Sequence, residues 1–436
     1  MKTPRLPSDQ AILKKLIKQS YRFFAREMDA KTGLMPDKTT ADSKLSIASQ
    51  GFAFSTYPAA VEYGFLTRKE AARRTLLALR TLADAPQGAS GTTAGDKGFF
   101  YHFLEPKTIA RAEGSELSTI DTAILMAGAL TAKQYFDGAG AETKIRDLVD
   151  QLYSAVDWKW ALNGGSTLSK GWKPETGFIK HRWNDGYSEA HILYILGLGA
   201  PNSRKALTKE NYEAWIRTFE WKTYADIDYL YAGPLFIHQM SQSWLDLRGL
   251  KDAKISQHGL DYFQNSSRAV RVQIEYAIKN PHRFAGYSSQ TWGLTACEGP
   301  GDLTKFIHQK KRTFYGYHAR GAPFGADDGT LSPWIIAACL PFAPIECFSA
   351  LRFAQKNLHL QAKNNYGFET SYNPTFNGKA RYWVSNAHYG INQGPVVMMG
   401  ANYDSDLIWR LMRECAPIKK GLKKAGFRGG WLEHSR

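Results

Sequence analysis

Thr119-Ile-Asp-Thr-Ala-Ile-Leu-Met-Ala-Gly-Ala-Leu130 carries a single charged side chain, and Ser188-Glu-Ala-His-Ile-Leu-Tyr-Ile-Leu-Gly-Leu198 is apolar from Ile192 onward but for one phenol. Neither stretch leaves a wet face at helical spacing, so a helix built from either must be surrounded by protein. Residues 11–28 differ. Leu13, Leu16, Ile17 and Phe24 share one face, while Lys14, Lys15, Lys18 and Arg22 lie elsewhere. Residues 142–158 repeat that pattern with Ile145, Leu148, Val149, Leu152 and Val156. Half-wet helices alternating with helices that have no wet face predict an outer ring packed around an inner one. Ser332-Pro333 starts a further inner helix, with cap and first-turn proline in their preferred places. About a dozen such segments without a fixed-period repeat predict an all-α (α/α)6 toroid rather than a solenoid. No linker or low-complexity tract interrupts it, so residues 1–436 read as one domain. Short runs such as Gly98–Leu104 and Gly177–Trp183 are predicted to form small β-hairpins at the mouth of the cleft.

Composition narrows the function. Of 436 residues, 43% are hydrophobic and 22% charged, which excludes wholesale disorder and collagen-like structure. No run approaches the roughly 18 apolar residues of a membrane span. Met1–Leu16 is basic and lacks an apolar signal core, so the chain as written is expected to be soluble and cytoplasmic. Removal of a leader would make it periplasmic or secreted. Cys297, Cys339, Cys347 and Cys415 show neither paired nor metal-ligand spacing and read as buried thiols; no metal or cofactor is expected. The net charge of +16 favours an anionic partner. The 12 Trp, 22 Tyr and 23 Phe gather in polar, glycine-bearing segments, where rings suit a sugar or a base.

Phosphate-binding glycine loops, HExxH and GxSxG are missing, which removes the usual nucleotide, zinc-protease and α/β-hydrolase readings. What remains are carboxylates and histidines inside aromatic loops. Acetal cleavage needs a proton donor, a water-activating carboxylate and ring-stacking walls. The densest candidate is Gly177-Phe-Ile-Lys-His-Arg182-Trp183-Asn-Asp-Gly-Tyr187-Ser-Glu189-Ala-His191, which places Glu189 in the first turn of a buried helix. There the helix dipole would lower its pKa, so desolvation against Trp183 and Tyr187 would have to prevail for it to serve as an acid. A second cluster holds Glu116 just outside a helix and Asp121 in a Ser118-x-x-Asp121 capping box. A third runs from Gly286-Tyr287 through Trp292-Gly293 to Cys297-Glu298 and reads as an exposed loop. Asp327-Asp328-Gly-Thr reads as an Asx turn ahead of the Ser332 helix. Tyr366-Gly-Phe-Glu369-Thr-Ser-Tyr372-Asn373-Pro374 sets a carboxylate among aromatics. His238 and Gln239 are predicted on one helix with Trp244 and Arg248; Gln242 at the next turn argues for a hydrogen-bonding rather than metal role.

Tyr229-Leu-Tyr231-Ala-Gly-Pro-Leu-Phe-Ile-His238-Gln239, Trp244-Leu-Asp-Leu-Arg248-Gly, Gly286-Tyr287-Ser and Trp292-Gly-Leu-Thr-Ala together resemble the glycoamylase-like domain family. This family includes the β-1,2-glucanases of glycoside hydrolase family 144 and the related domain of cyclic β-1,2-glucan synthases. The resemblance continues through Asp328-Gly-Thr, Pro341-Phe-Ala-Pro, Tyr366-Gly-Phe and Gly390-Ile-Asn-Gln-Gly-Pro, with Gly98-Phe-Phe-Tyr101-His102-Phe-Leu and Ser118-Thr-Ile-Asp121 upstream. It implies an (α/α)6 barrel acting on linear or cyclic β-1,2-glucan, with the proton donor carried over to Glu189. Substrate binding is then expected from Tyr101, His102, Arg182, Trp183, Tyr187, Tyr231, His238, Gln239 and Arg248. Tyr287, Trp292, Glu298, Asp328, Trp334, Tyr372 and Asn373 complete that set. Cys297-Glu298 stands where Ser-Asp is usual, and Glu369 where Asp is usual, so the cleft is expected to be reshaped.

These readings converge on an inverting endo-β-1,2-glucanase in which Glu189 protonates the glycosidic oxygen and Glu369, Glu116 or Asp121 draws a proton from water. A β-1,2-glucan transglycosylase and a non-catalytic glycan binder are the alternatives. Nucleic-acid binding is disfavoured because Lys and Arg are dispersed rather than gathered in an aromatic-studded stripe. The positive charge suggests glucans bearing anionic substituents.

Overall fold

The computed structural model describes residues 7–307, 309–377 and 382–433. Its helices follow the predicted alternation. The one-sided α1 (Pro7–Arg26) buries Leu13, Leu16, Ile17 and Phe24, whereas nearly every residue of α2 (Ile47–Glu62) is buried. The amphipathic α3 (Arg68–Asp84) gives way to the buried α4 (Thr119–Tyr135), and α5 (Ala141–Ala155) to α6 (His191–Gly199), which is buried throughout. Next come α7 (Lys209–Ile216), the short α8 (Phe236–Met240), α9 (Tyr262–Lys279), α10 (Pro333–Ala338), α11 (Pro344–Asn357) and α12 (Gly390–Ser405). The chain closes with α13 (Leu407–Arg413) and α14 (Ala416–Ala425).

The apolar helices pack on one another: α2 on α4, α4 on α6, α10 on α12, and α12 back onto α2. The one-sided helices cover them, α1 against α12 and α2, α11 against α10, and α14 against α6. A continuous hydrophobic core runs from α1 to beyond α14. Two glycines set how closely the central helices approach. A Cβ on Gly128 of α4 would stand 1.9 Å from the carbonyl oxygen of Gly51, and one on Gly51 of α2 would stand 2.3 Å from that of Ile124. Backbone therefore touches backbone at this crossing, which no larger residue permits.

The strands are short and lie where the central helices begin. Leu45–Ser46, just before α2, pairs with Phe103–Leu104, and Leu117–Ser118, just before α4, pairs with Gly171–Lys173. Within the runs read as strand, Phe99–Phe100, Phe103–Leu104 and Gly177–Phe178 form strands, with single bridges from Tyr101 to Leu117 and from Arg182 to Ser169. Longer hairpins join Trp221–Tyr224 to Ile227–Leu230 and Leu303–Ile307 to Lys310–Phe314.

Three expectations need correction. The helix expected from Ser188 starts at His191, leaving Glu189 in the preceding turn. The helix expected to carry His238 through Arg248 stops at Met240 and passes into a 3-10 turn at Ser241–Ser243. The 286–293 loop is not wholly exposed, since Trp292 is packed in the core. Among the described residues no helix is long and apolar enough to cross a membrane, and the four cysteines are buried and unpaired.

Candidate functional site

The N-terminal ends of α4, α6, α8 and α12 converge on a cavity of about 500 Å³. Its polar lining comprises Asp37, Lys38, His102, Asp121, Glu189, Glu298, Tyr317, Tyr389 and Asn392, with Phe103, Ile120, Ile124, Phe236, Met240 and Ile391 as apolar wall. Four carboxylates thus face one partly apolar space. Burial of a carboxyl in such a space favours its protonated form.

Glu189 owes its position to Ser241. The Ser241 hydroxyl donates to the Glu189 carbonyl at 2.5 Å and accepts from the Ile192 amide at 3.0 Å, serving α6 in place of a cap that Ala190 cannot supply. Lys170 pairs with Asp185 at 2.6 Å, and Gly186 takes a positive φ of 102°, which favours glycine at this turn. Desolvation lifts the Glu189 carboxyl to about 7; its own backbone and Lys170 oppose this, and Asp185 and Asp121 reinforce it. Burial therefore outweighs the groups that favour the ionised form.

A hydrogen-bonded group forms another part of the wall. His102 Nδ1 lies 3.2 Å from Glu116 Oε1, and its Nε2 lies 3.6 Å from Asp121 Oδ2. Burial disfavours the imidazolium, but Asp121, Glu116 and Asp37 outweigh it and hold His102 at about 9, so the ring is charged at neutral pH. Short strands fix this group: the His102 amide donates to the Glu116 carbonyl at 2.9 Å, and that of Ile47 to the His102 carbonyl at 3.3 Å. Asp121 accepts from the Ser118 hydroxyl at 2.5 Å while the Ser118 oxygen accepts from the Asp121 amide at 3.2 Å, so the capping reading and the site position coexist. Burial raises Asp37 to about 6, against the pull of His102 and Lys38 and with the repulsion of Asp121 and Glu298. Sequence reading missed Asp37. Its only signal was a carboxylate following proline in a polar loop, Leu34-Met-Pro-Asp37-Lys38, which carries no chemical pattern of its own.

The structure brings Glu189, Asp121, His102 and Glu298 together around this cavity, with Glu116 behind His102. It does not place Glu369 there. Burial raises that carboxyl, and it lies 3.9 Å from His388, whose own burial lowers its pKa to about 4 and leaves it neutral at pH 7. Tyr187 and Tyr231 line a separate hollow of about 490 Å³ with Asn184, Asp185 and Glu220.

The other expected binding residues are committed elsewhere. Tyr101 is buried beneath the Arg111 guanidinium. Arg182 donates to the carbonyls of Leu162 and Thr167, and Trp183 is buried with its Nε1 donating to Thr119 Oγ1 at 3.0 Å. His238 Nε2 lies 3.3 Å from the Ala232 carbonyl, burial holding this imidazole at about 4. Gln239 donates to the Cys339 sulfur at 2.7 Å. Arg248 forks onto Asp246 at 2.7 and 2.9 Å and lies over the Trp409 ring. Tyr287 donates to Asp327 at 2.6 Å, while Trp292, Trp334 and Tyr372 pack in the core. Asp328 accepts the Arg320 guanidinium at 2.7 and 2.8 Å with both side chains fully buried, and also the Thr330 amide at 3.0 Å, as an Asx turn requires. Asn373 donates to the Asp328 carbonyl at 3.0 Å and to Thr330 Oγ1 at 2.9 Å. These side chains shape the loops that carry the site. Their hydrogen-bonding types look the same in sequence whether they meet a ligand or their own backbone.

Among the described residues no group of three or more His, Cys, Asp or Glu side chains could hold a metal ion.

Residues 180–416 match the Glycoamylase family. An exo-β-1,2-glucooligosaccharide sophorohydrolase (non-reducing end) of Parabacteroides distasonis is 27% identical over 447 residues, covering 96% of this chain and 58% of the relative. The chain therefore spans less than two thirds of that relative's length. Among solved structures, an endo-β-1,2-glucanase from Chitinophaga pinensis, in complex with sophorotriose and glucose, is 25% identical with a TM-score of 0.82, over 97% of this chain and 99% of the other. A β-1,2-glucanase from Parabacteroides distasonis is 25% identical with a TM-score of 0.84, over 97% of this chain and 60% of the other.

Proposed function

Because the chain belongs to the Glycoamylase family, we propose that it is a glycoside hydrolase cleaving β-1,2-linked glucan, endo-acting and anomer-inverting, on an (α/α)6 toroid. The observation that carries the reading is the desolvated Glu189 carboxyl, held near neutrality in a cavity of about 500 Å³ that Asp37, Asp121 and Glu298 also line. A carboxyl that stays protonated near pH 7 can hand its proton to a glycosidic oxygen, and ionised carboxylates across the cavity stabilise positive charge developing at the anomeric carbon. The names of the relatives support the substrate; the alternation of helices and the contact of α12 with α2 support the toroid.

Glu189→Gln tests the acid. It removes the proton and keeps the shape, and proton transfer of this kind is worth about 10²–10⁴-fold in rate. Folded Glu189→Gln protein hydrolysing β-1,2-glucan at near wild-type rate refutes the assignment. Product size separates the endo reading from the exo action named for the Parabacteroides relative: early mixed oligosaccharides fit the first, sophorose alone fits the second. Proton NMR of the first turnovers gives the anomer.

The reading extends to glucans bearing anionic groups. Lys305, Lys310, Lys311 and Arg312 gather on one hairpin between Glu298 and Tyr317, both on the cavity wall. Arg312 lies over the Phe284 ring and, with Lys310, Lys311, Thr313 and His282, lines a hollow of about 310 Å³ that also contains Asp327.

A further inference from the structure

Resting on the hydrolytic reading above, we infer that Asp37 is the carboxylate that takes the proton from the attacking water. Three features of the cavity point to it rather than to Glu369, Glu116 or Asp121. Glu369 is not part of the wall. Glu116 is bound to the His102 imidazolium, and Asp121 already accepts the Ser118 hydroxyl at 2.5 Å beside His102 Nε2. Asp37 faces the cavity, and among the described residues its carboxylate accepts no hydrogen bond.

The backbone holds Asp37 in place without engaging its side chain. Its amide donates to the Lys44 carbonyl at 2.8 Å, and its carbonyl accepts from the Gly390 amide at 2.9 Å. Bridges at Pro36 with Leu45 and at Lys38 with Tyr389 lie on either side. This ties the carboxylate to the starts of α2 and α12, the two central helices that close on each other. Glu298 is the remaining rival on the wall. It lies on a longer side chain beside the Tyr389 phenol and 3.4 Å from the Ser385 hydroxyl, and so has neighbouring donors that Asp37 lacks. The charged and titratable groups that share the cavity with Asp37 are Lys38, His102, Asp121, Glu189 and Glu298, with the Tyr389 and Tyr317 phenols. Burial that lifts Asp37 toward about 6 leaves it mostly ionised at pH 7 yet a better proton acceptor than an exposed aspartate.

The step balances without a co-reactant. A water oxygen bonds to the anomeric carbon on the face opposite the leaving group while its proton passes to Asp37. The carbon–oxygen glycosidic bond breaks, and its electron pair takes the proton of Glu189. Both carboxyl groups then return to their starting states by exchange with solvent.

The test uses the full chain on linear β-1,2-glucan, with Asp37→Asn, Glu298→Gln and Asp121→Asn compared after circular dichroism shows each to be folded. Asp37→Asn is expected to lower kcat by about 10²–10⁴-fold with a much smaller change in KM. Added sodium azide, supplied with an activated β-glucoside, is expected to restore turnover in Asp37→Asn alone and to yield the inverted glycosyl azide. Activity of folded Asp37→Asn within tenfold of wild type overturns the inference while leaving the hydrolase reading intact, as does azide rescue of Glu298→Gln or Asp121→Asn instead. A wild type inert toward β-1,2-glucan overturns both.

Discussion

Replacing Glu189 by Gln should stabilise the protein in alkaline solution while abolishing its proton-donor capacity. The carboxyl sits at about 7 in the folded chain against an ordinary 4.5, so the folded state holds a proton that the unfolded state releases earlier. For an acid raised in this way, the unfavourable term is absent below pH 4.5, grows as pH rises from there to about 7, and is complete above it. At 1.36 kcal/mol per pH unit the full cost is about 3 kcal/mol, and Gln cannot incur it. With an unfolding entropy of about 2.1 cal/mol/K per residue, a 436-residue chain gains about 1 °C in Tm per kcal/mol, so the variant should melt about 3 °C higher at pH 8.5 and at nearly the same temperature as wild type at pH 4.5. Urea titrations at the two pH values read the same difference without heating. An equal Tm difference at both pH values would show that the carboxylate is not desolvated, and the acid role would lose its physical basis.

Three further outcomes follow from the packing and the charge. Asp328→Ala leaves the fully buried Arg320 guanidinium uncompensated and should cost about 3–5 kcal/mol by denaturant titration, with hydrolysis per folded molecule largely kept if Asp328 supports loops rather than substrate. Gly128→Ala drives a methyl into the Gly51 backbone and should cost at least about 1–3 kcal/mol, whereas alanine at the open Gly114 turn meets no neighbour within 4 Å and costs only the strain of its positive φ of 73°. Lys310→Glu with Lys311→Glu should raise KM for glucans bearing anionic groups, and flatten its salt dependence, without altering KM for unsubstituted chains; equal effects on both substrates would remove the hairpin from recognition.

Much of the helical plan was already visible along the chain. Residues 119–130 and 192–198 have no polar face, and a helix of that kind has only one stable location, inside other helices. Amphipathic period, capping residues and missing catalytic motifs are local properties, so the helical class could be read from neighbours in sequence, and Glu189 could be singled out there as a candidate. What could not be read was which polar groups are already satisfied. Asp328, Asn373, Arg182 and Arg248 have the composition of ligand contacts, yet their partners are backbone carbonyls, amides and carboxylates, some of them brought near only by folding. The reverse holds for Asp37, which lies 152 residues from Glu189 in the chain and is unremarked in its own segment. Its proximity to His102, Asp121 and Glu298 exists only because α2, α4 and α12 bring their N-terminal ends to one place. Sequence determined which residues could carry a charge. Tertiary structure decided which of those charges lose water and which find partners, because desolvation and hydrogen bonding depend on distance in space and not along the chain.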